Sequence, residues 1–247
     1  MIVGTCGFCS TGSSAVSDYL SEFECTQVID EIEFTFTYLP DGLEDLFYHT
    51  VKRIVRDDSC CMAIPRFKRF MDGYKKNIIN GTQITATQFD KLNEDFLNSI
   101  INLRWRGSRR SDFLLDGSLF RRYFGQSIMT QRVIPFLNKK FHKCVDLYPY
   151  RELEVSVGSE QSVDLFKKYV KGILKCAGAD FSKILVIDQA FIGNDPEASF
   201  FLYDDPYAIV VDRDPRDNFI FAKEFLYKKG KFMPTDNVKE FGPDNYK

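Results

Sequence analysis

Eight residues near the start of the chain, Gly7-Phe8-Cys9-Ser10-Thr11-Gly12-Ser13-Ser14, have the types and spacing of a phosphate-holding loop. The glycines let consecutive backbone N–H groups turn toward one anion, and a helix starting at Ser13 adds its positive N-terminal end. The spacing is that of G-x-x-x-x-G-K-[ST], with Ser13 where lysine is expected. Residues 1–50 also carry nine acidic side chains and no Lys or Arg, the first basic residue being Lys52. An ordinary kinase or ATPase, which sets that lysine against the transferring phosphoryl group, is therefore disfavoured. A plain small-residue turn with serine as N-cap is the competing reading.

A second charged group closes a late apolar run: Tyr207-Ala208-Ile209-Val210-Val211 leads into Asp212-Arg213-Asp214-Pro215-Arg216-Asp217. Ligands of open α/β sheets bind beside the carboxyl ends of the strands, so Arg213 stands where an anion would be held. An arginine–carboxylate network capping the sheet is the alternative. Cys6-Gly7-Phe8-Cys9 has the C-x-x-C form of a redox site, but a thioredoxin-like fold needs a strand and helix ahead of it and only five residues precede Cys6. The two histidines, His49 and His142, are too few for a multi-histidine metal centre. Arg104, Arg106, Arg109 and Arg110 surround the only tryptophan, Trp105, in a stretch (residues 101–150) holding ten Lys and Arg against three Asp. Such a patch attracts an anionic nucleotide or acidic sugar, unless it is a solvated helix end.

These residues need a framework. Residues 1–6 read as a strand, the loop follows, and a helix runs from about Gly12. Ile32, Phe34 and Phe36 alternate with Glu31, Glu33, Thr35 and Thr37, which is strand periodicity with a polar face. Pro40-Asp41-Gly42 stops that run and opens a helix. Residues 43–145 show helical patterning and no convincing strand, with helices near 65–79, 87–103 and 118–142. Regular alternation then returns: a strand near 152–157, a helix at 160–176, a strand at 183–188, a short helix near 196–203, a strand at 207–212 and a helix from Pro215. This predicts one α/β domain over residues 1–247, a mostly parallel sheet flanked by helices, with a helical insertion at about 43–145.

At this point the chain resembles the sulfotransferases that use 3′-phosphoadenosine 5′-phosphosulfate, as a divergent member of bacterial type. The likeness rests on the loop ending Gly12-Ser13-Ser14 and on Arg213-Asp214-Pro215-Arg216-Asp217. Two further stretches support it, Glu33-Phe34-Thr35-Phe36 running to Pro40-Asp41-Gly42-Leu43 and the strand end Ile187-Asp188-Gln189. It covers roughly residues 1–45 and 183–233. The resemblance implies a P-loop NTPase-like fold. It implies that Cys9, Ser10, Thr11, Gly12, Ser13 and Ser14 hold the 5′-phosphosulfate and that Arg213 holds the 3′-phosphate. Ser10 occupies the position where the family carries a basic residue against the transferring sulfuryl group, and Phe221 replaces a family serine. Glu33 matches the family's glutamate base, with Glu31 two residues earlier on the same face; a solvated edge-strand glutamate is the alternative. No metal is implied, and the acceptor is a hydroxyl, with a glycan as one class.

Composition bounds the rest. With 247 residues and 44% hydrophobic content the chain buries a sizeable core and is not intrinsically disordered. A net charge of -2 argues against nucleic acid as a partner. No apolar run approaches the length of a membrane span. Seven scattered cysteines suit reduced thiols, and with no signal-like N-terminus a cytoplasmic location is expected. Two other functions stay open: a nucleotide-binding P-loop protein that has lost catalysis, and an atypical kinase.

Overall fold

The computed structural model of the chain describes residues 1–7, 11–53, 58–107, 132–141 and 151–227. Strand β1 (Ile2–Gly7) is followed by helix α1 (Ser13–Ser21) and strand β2 (Thr26–Ile29). Helices α2 (Leu43–Phe47), α3 (Asp58–Asn80) and α4 (Ala86–Ile100) lead to strand β3 (Leu103–Gly107). Helix α5 (Ile134–Phe141) and strand β4 (Arg151–Val155) precede α6 (Val163–Cys176), β5 (Ile184–Asp188), β6 (Pro206–Val211) and α7 (Pro215–Phe221).

Four strands form one sheet in the order β2-β5-β1-β6, and every neighbouring pair is parallel. The core strands are short and nearly continuous in apolar residues, as a sheet covered on both faces requires. In β5, Leu185, Val186 and Ile187 are all buried. Helix α6 packs with an unbroken stripe, Phe166, Tyr169, Val170, Ile173 and Leu174, at the i, i+3, i+4, i+7, i+8 spacing of one helix face. A reciprocal capping box of Thr85 and Gln88 starts α4, which buries Phe89, Phe96, Leu97 and Ile100. Aromatic rings join these helices: Phe96 stacks on Tyr169 with centroids 4.3 Å apart and meets Phe166 edge-on at 5.1 Å. Truncating such a ring to alanine costs about 3–5 kcal/mol, so this cluster is a principal source of stability. Among the described residues no helix is long and apolar enough to cross a membrane.

Three expectations are corrected. The alternating stretch at Glu31–Thr37 is not a strand: β2 ends at Ile29, and Thr35–Thr37 is a 3₁₀ turn. Ile32, Phe34 and Phe36 are still buried and Glu31 and Glu33 still exposed without strand pairing, but Thr37, read on the polar face, is buried as well. The Thr37 hydroxyl donates to the carbonyls of Phe34 (2.8 Å) and Ala190 (3.2 Å), a local bonding mode that competes with a ladder.

The stretch read as a helical insertion contains strand β3, and β4 pairs with it antiparallel as a separate two-stranded sheet instead of joining the parallel one. Its register sets Arg104 opposite Glu154, Trp105 opposite Leu153 and Arg106 opposite Glu152. Opposite charges on one face and apolar groups on the other favour such a pair. The predicted helix at 87–103 accordingly stops at Ile100. Most of the predicted helix at 118–142 lies outside the described residues, which show Ile134–Phe141 of it.

Candidate functional site

The parallel arrangement brings the ends of β1, β5 and β6 to one edge of the sheet. Thr5 lies beside Asp188, and Gly7 lies beside Val211. The chain therefore leaves for α1, for Gln189 and for Arg213 from adjacent points. The strand order makes this edge a switch point, since β1 connects to β2 on one side while β6 lies on the other.

Gly12 is the N-cap of α1, with φ 101° and ψ 25°. Only glycine adopts that conformation without strain, and a Cβ added there would meet nothing within 4 Å. No side chain caps the start of α1. An uncapped helix start suits an anion's oxygens. Thr11 and Ser13 are buried beside this opening, while Gly12 and Ser14 are exposed. Gly7 is held close: a Cβ there would fall 2.4 Å from Thr11 Oγ1 and 2.6 Å from the Val211 carbonyl oxygen. Cys9 and Ser10 lie outside the described residues.

Hydrogen bonds fasten the loop's flank to the strand ends. The hydroxyl of Thr5 is 3.0 Å from that of Ser17 in α1 and donates to Asp188 Oδ1 at 3.3 Å. The Gln189 amide Nε2 donates to Ser13 Oγ at 3.2 Å, and the Gln189 backbone N–H donates to the Thr5 carbonyl at 2.8 Å. Gln189 takes a positive φ of 50°, a conformation few non-glycine residues adopt. Burial, and then the negative charges of Glu33 and Asp30, push the Asp188 carboxyl above its usual range, against the lowering effect of its bond to Thr5.

Glu33 reaches this edge without a strand. The Phe34 N–H donates to the Asp188 carbonyl at 3.1 Å, which pins residues 33–34 to the end of β5, and the Tyr74 hydroxyl donates to the Glu33 carbonyl. Glu31 and Glu33 line one depression of about 340 Å³ with Thr35, Tyr74 and Asn77. Tyr38 is raised by burial first, then by Glu33, and farther down by Cys6 and Asp188, so its hydroxyl senses the same acidic edge.

The two arginines of the late motif separate in role. The Asp214 carboxylate caps α7 at the Arg216 N–H and also grips the Arg216 guanidinium (Nε, 2.9 Å), which holds its pKa down at about 2. Arg216 is thereby a structural clamp. Arg213 has its Nε 3.8 Å from Asp217 and is 42% exposed, so it keeps contact with solvent at the sheet edge. Phe221 ends α7.

Other candidates fall elsewhere. Cys6 is fully buried in β1, and burial raises its thiol to about 11, the reverse of what a redox thiol needs. His49 is paired with Asp45 at 3.4 Å. Arg104, one of the four arginines around Trp105, is bound to Glu154 of the small antiparallel sheet (3.2 Å) and to Asn98 of α4. Arg109, Arg110 and His142 lie outside the described residues. Residue-level reading missed Thr5 and Ser17, whose hydroxyls carry no pattern in sequence. Asp188 did carry one: an acidic residue closing a buried strand. Comparison with known proteins gave no matching family model, no matching curated protein and no matching solved structure.

Proposed function

We propose that this protein is a P-loop sulfotransferase that binds 3′-phosphoadenosine 5′-phosphosulfate at the loop after β1 and transfers sulfuryl to a hydroxyl acceptor, with carbohydrates the first class to test. One juxtaposition carries the reading. Neighbouring parallel strands end together, so the glycine loop, Gln189 and Arg213 share an edge with Glu33. The uncapped start of α1 at Gly12 receives the phosphosulfate oxygens, and Arg213 receives the 3′-phosphate. When bound, the co-substrate supplies an activated sulfuryl group. Glu33 accepts the proton of the acceptor hydroxyl as that oxygen attacks sulfur, and the N–H groups at the loop stabilise charge on the departing phosphate.

A second reading, nucleotide binding without catalysis, is favoured by the fate of Arg104. Its charge is taken up by Glu154, and the edge around Glu33 and Asp188 is acidic. Calorimetry with adenosine 3′,5′-bisphosphate, adenosine 5′-monophosphate and ATP with magnesium tests both. Tighter binding of the bisphosphate is expected; preference for ATP with magnesium would make the site a kinase's. A transfer assay then divides catalysis from binding alone.

A further inference from the structure

A cleft of about 680 Å³ opens beside α2; Tyr38 is in its lining and none of the loop residues is. That volume lies in the range of pockets for small organic ligands. Its walls are mostly apolar, and Tyr48 (43% exposed) and the half-buried Phe201 present ring surface to it. Phe47, also in the lining, packs on Phe201 with centroids 4.3 Å apart at 31°. Polar groups are few and different in kind. At one end the Glu44 carboxyl accepts from the buried Ser199 hydroxyl through Oε1, leaving Oε2 for a ligand. At the other, Lys52 is exposed, its ammonium 5.9 Å from the Phe47 ring centroid. Asp45, also in the lining, is already compensated by Arg66 at 2.9 Å.

We propose that this cleft binds a small hydroxylated aromatic carboxylate, its ring against Tyr48 and Phe201, its carboxylate on Lys52 and its hydroxyl on Glu44. Glu44 lies in α2 and Lys52 closes the π-helical turn Tyr48–Lys52 that continues it, so the two charges stand at different points along one helical segment that lines the cleft. Burial, with Asp195 nearby, pushes the Glu44 carboxyl up to about 7. A carboxyl that changes protonation near neutrality suits a hydroxyl, which donates to the ionised form and accepts from the neutral one. The aromatic walls supply the apolar contact and the polar ends fix the direction of entry.

The site needs no nucleotide at the loop, so it stands or falls apart from the sulfotransferase reading. The test titrates 4-hydroxycinnamate into the full chain by calorimetry. One-to-one binding is expected, at least tenfold weaker for 4-hydroxycinnamamide and for 4-methoxycinnamate. Lys52→Met should weaken the acid at least tenfold and leave the amide unchanged. Ala198→Trp, at an exposed position of the rim, should abolish binding while the melting temperature and adenosine 3′,5′-bisphosphate binding stay as they are. No heat at millimolar probe, equal binding of acid and amide, or full binding in Ala198→Trp would each overturn the proposal.

Discussion

The edge of the parallel sheet and the antiparallel pair β3–β4 both join charged residues to buried apolar ones, and they use the charges in opposite ways. In the small sheet the register sets Arg104 on Glu154, with Lys68 on the same carboxylate, and Glu154 is itself buried. These charges are consumed by one another. At the parallel edge Glu33 is exposed, Arg213 is 42% exposed and 3.8 Å from its partner, and the helix start at Gly12 has no side-chain cap. Arg104 and Arg106, the described arginines around Trp105, therefore stand opposite glutamates. Chemistry is better sought at the edge where Glu33 stays exposed and the helix start carries no side-chain cap.

The sharpest test of that contrast is Glu33→Gln. If the parallel edge is the reacting site, turnover in the transfer assay should fall about 10²–10⁴-fold with nucleotide affinity kept. Full activity would move the proton transfer to Glu31 or away from both. Next in size, Arg213→Ala should weaken adenosine 3′,5′-bisphosphate by about 1.5–3 kcal/mol relative to adenosine 5′-monophosphate, as for a lost charged hydrogen bond. Equal weakening of the two ligands would make Arg213 a structural residue like Arg216.

Gly12→Ala should cost about 1–2 kcal/mol by forcing a side chain into the left-handed region. Thermal melting should register that strain, and nucleotide affinity should fall with it if the loop holds the ligand. The converse test lies in the small sheet. Arg104→Gln should cost about 1 kcal/mol of stability and leave nucleotide affinity alone, because Lys68 stays on the buried Glu154 carboxylate. A marked loss of nucleotide affinity would return the arginine segment to the site.

A further test concerns pH. The Glu44 carboxyl stands at about 7 in the fold, above its ordinary 4.5, so folding favours its protonated form. That contribution to stability is complete below about 4.5 and is lost as pH rises through about 7. Melting temperatures followed across that window should decline in the native chain and stay flatter in Glu44→Gln.

Much of the framework was legible in the residues themselves. The apolar runs at Ile2–Gly7, Ile184–Asp188 and Pro206–Val211, the helix start at Ser13 and Pro215 at the start of α7 all stand where their patterns predict. The pattern at Leu103–Gly107 was also present, with charge and ring alternating at period two, but helical flanks concealed it. Hydrophobic periodicity records which side chains are buried, and that is a local property of the chain. It also explains the failure at Glu31–Thr37, where the alternation of buried and exposed groups holds only as far as Phe36 and the backbone bonds to threonine hydroxyls and to the β5 end instead of a ladder. Partner choice is not local. Only the fold decided that β5 inserts between β1 and β2, which sets Asp188 beside Thr5 and brings Glu33 to the loop's edge. Likewise only the fold decided that Arg104 would meet a glutamate fifty residues away. Such pairings are fixed by the summed packing of distant segments, for which no short window of sequence carries the information.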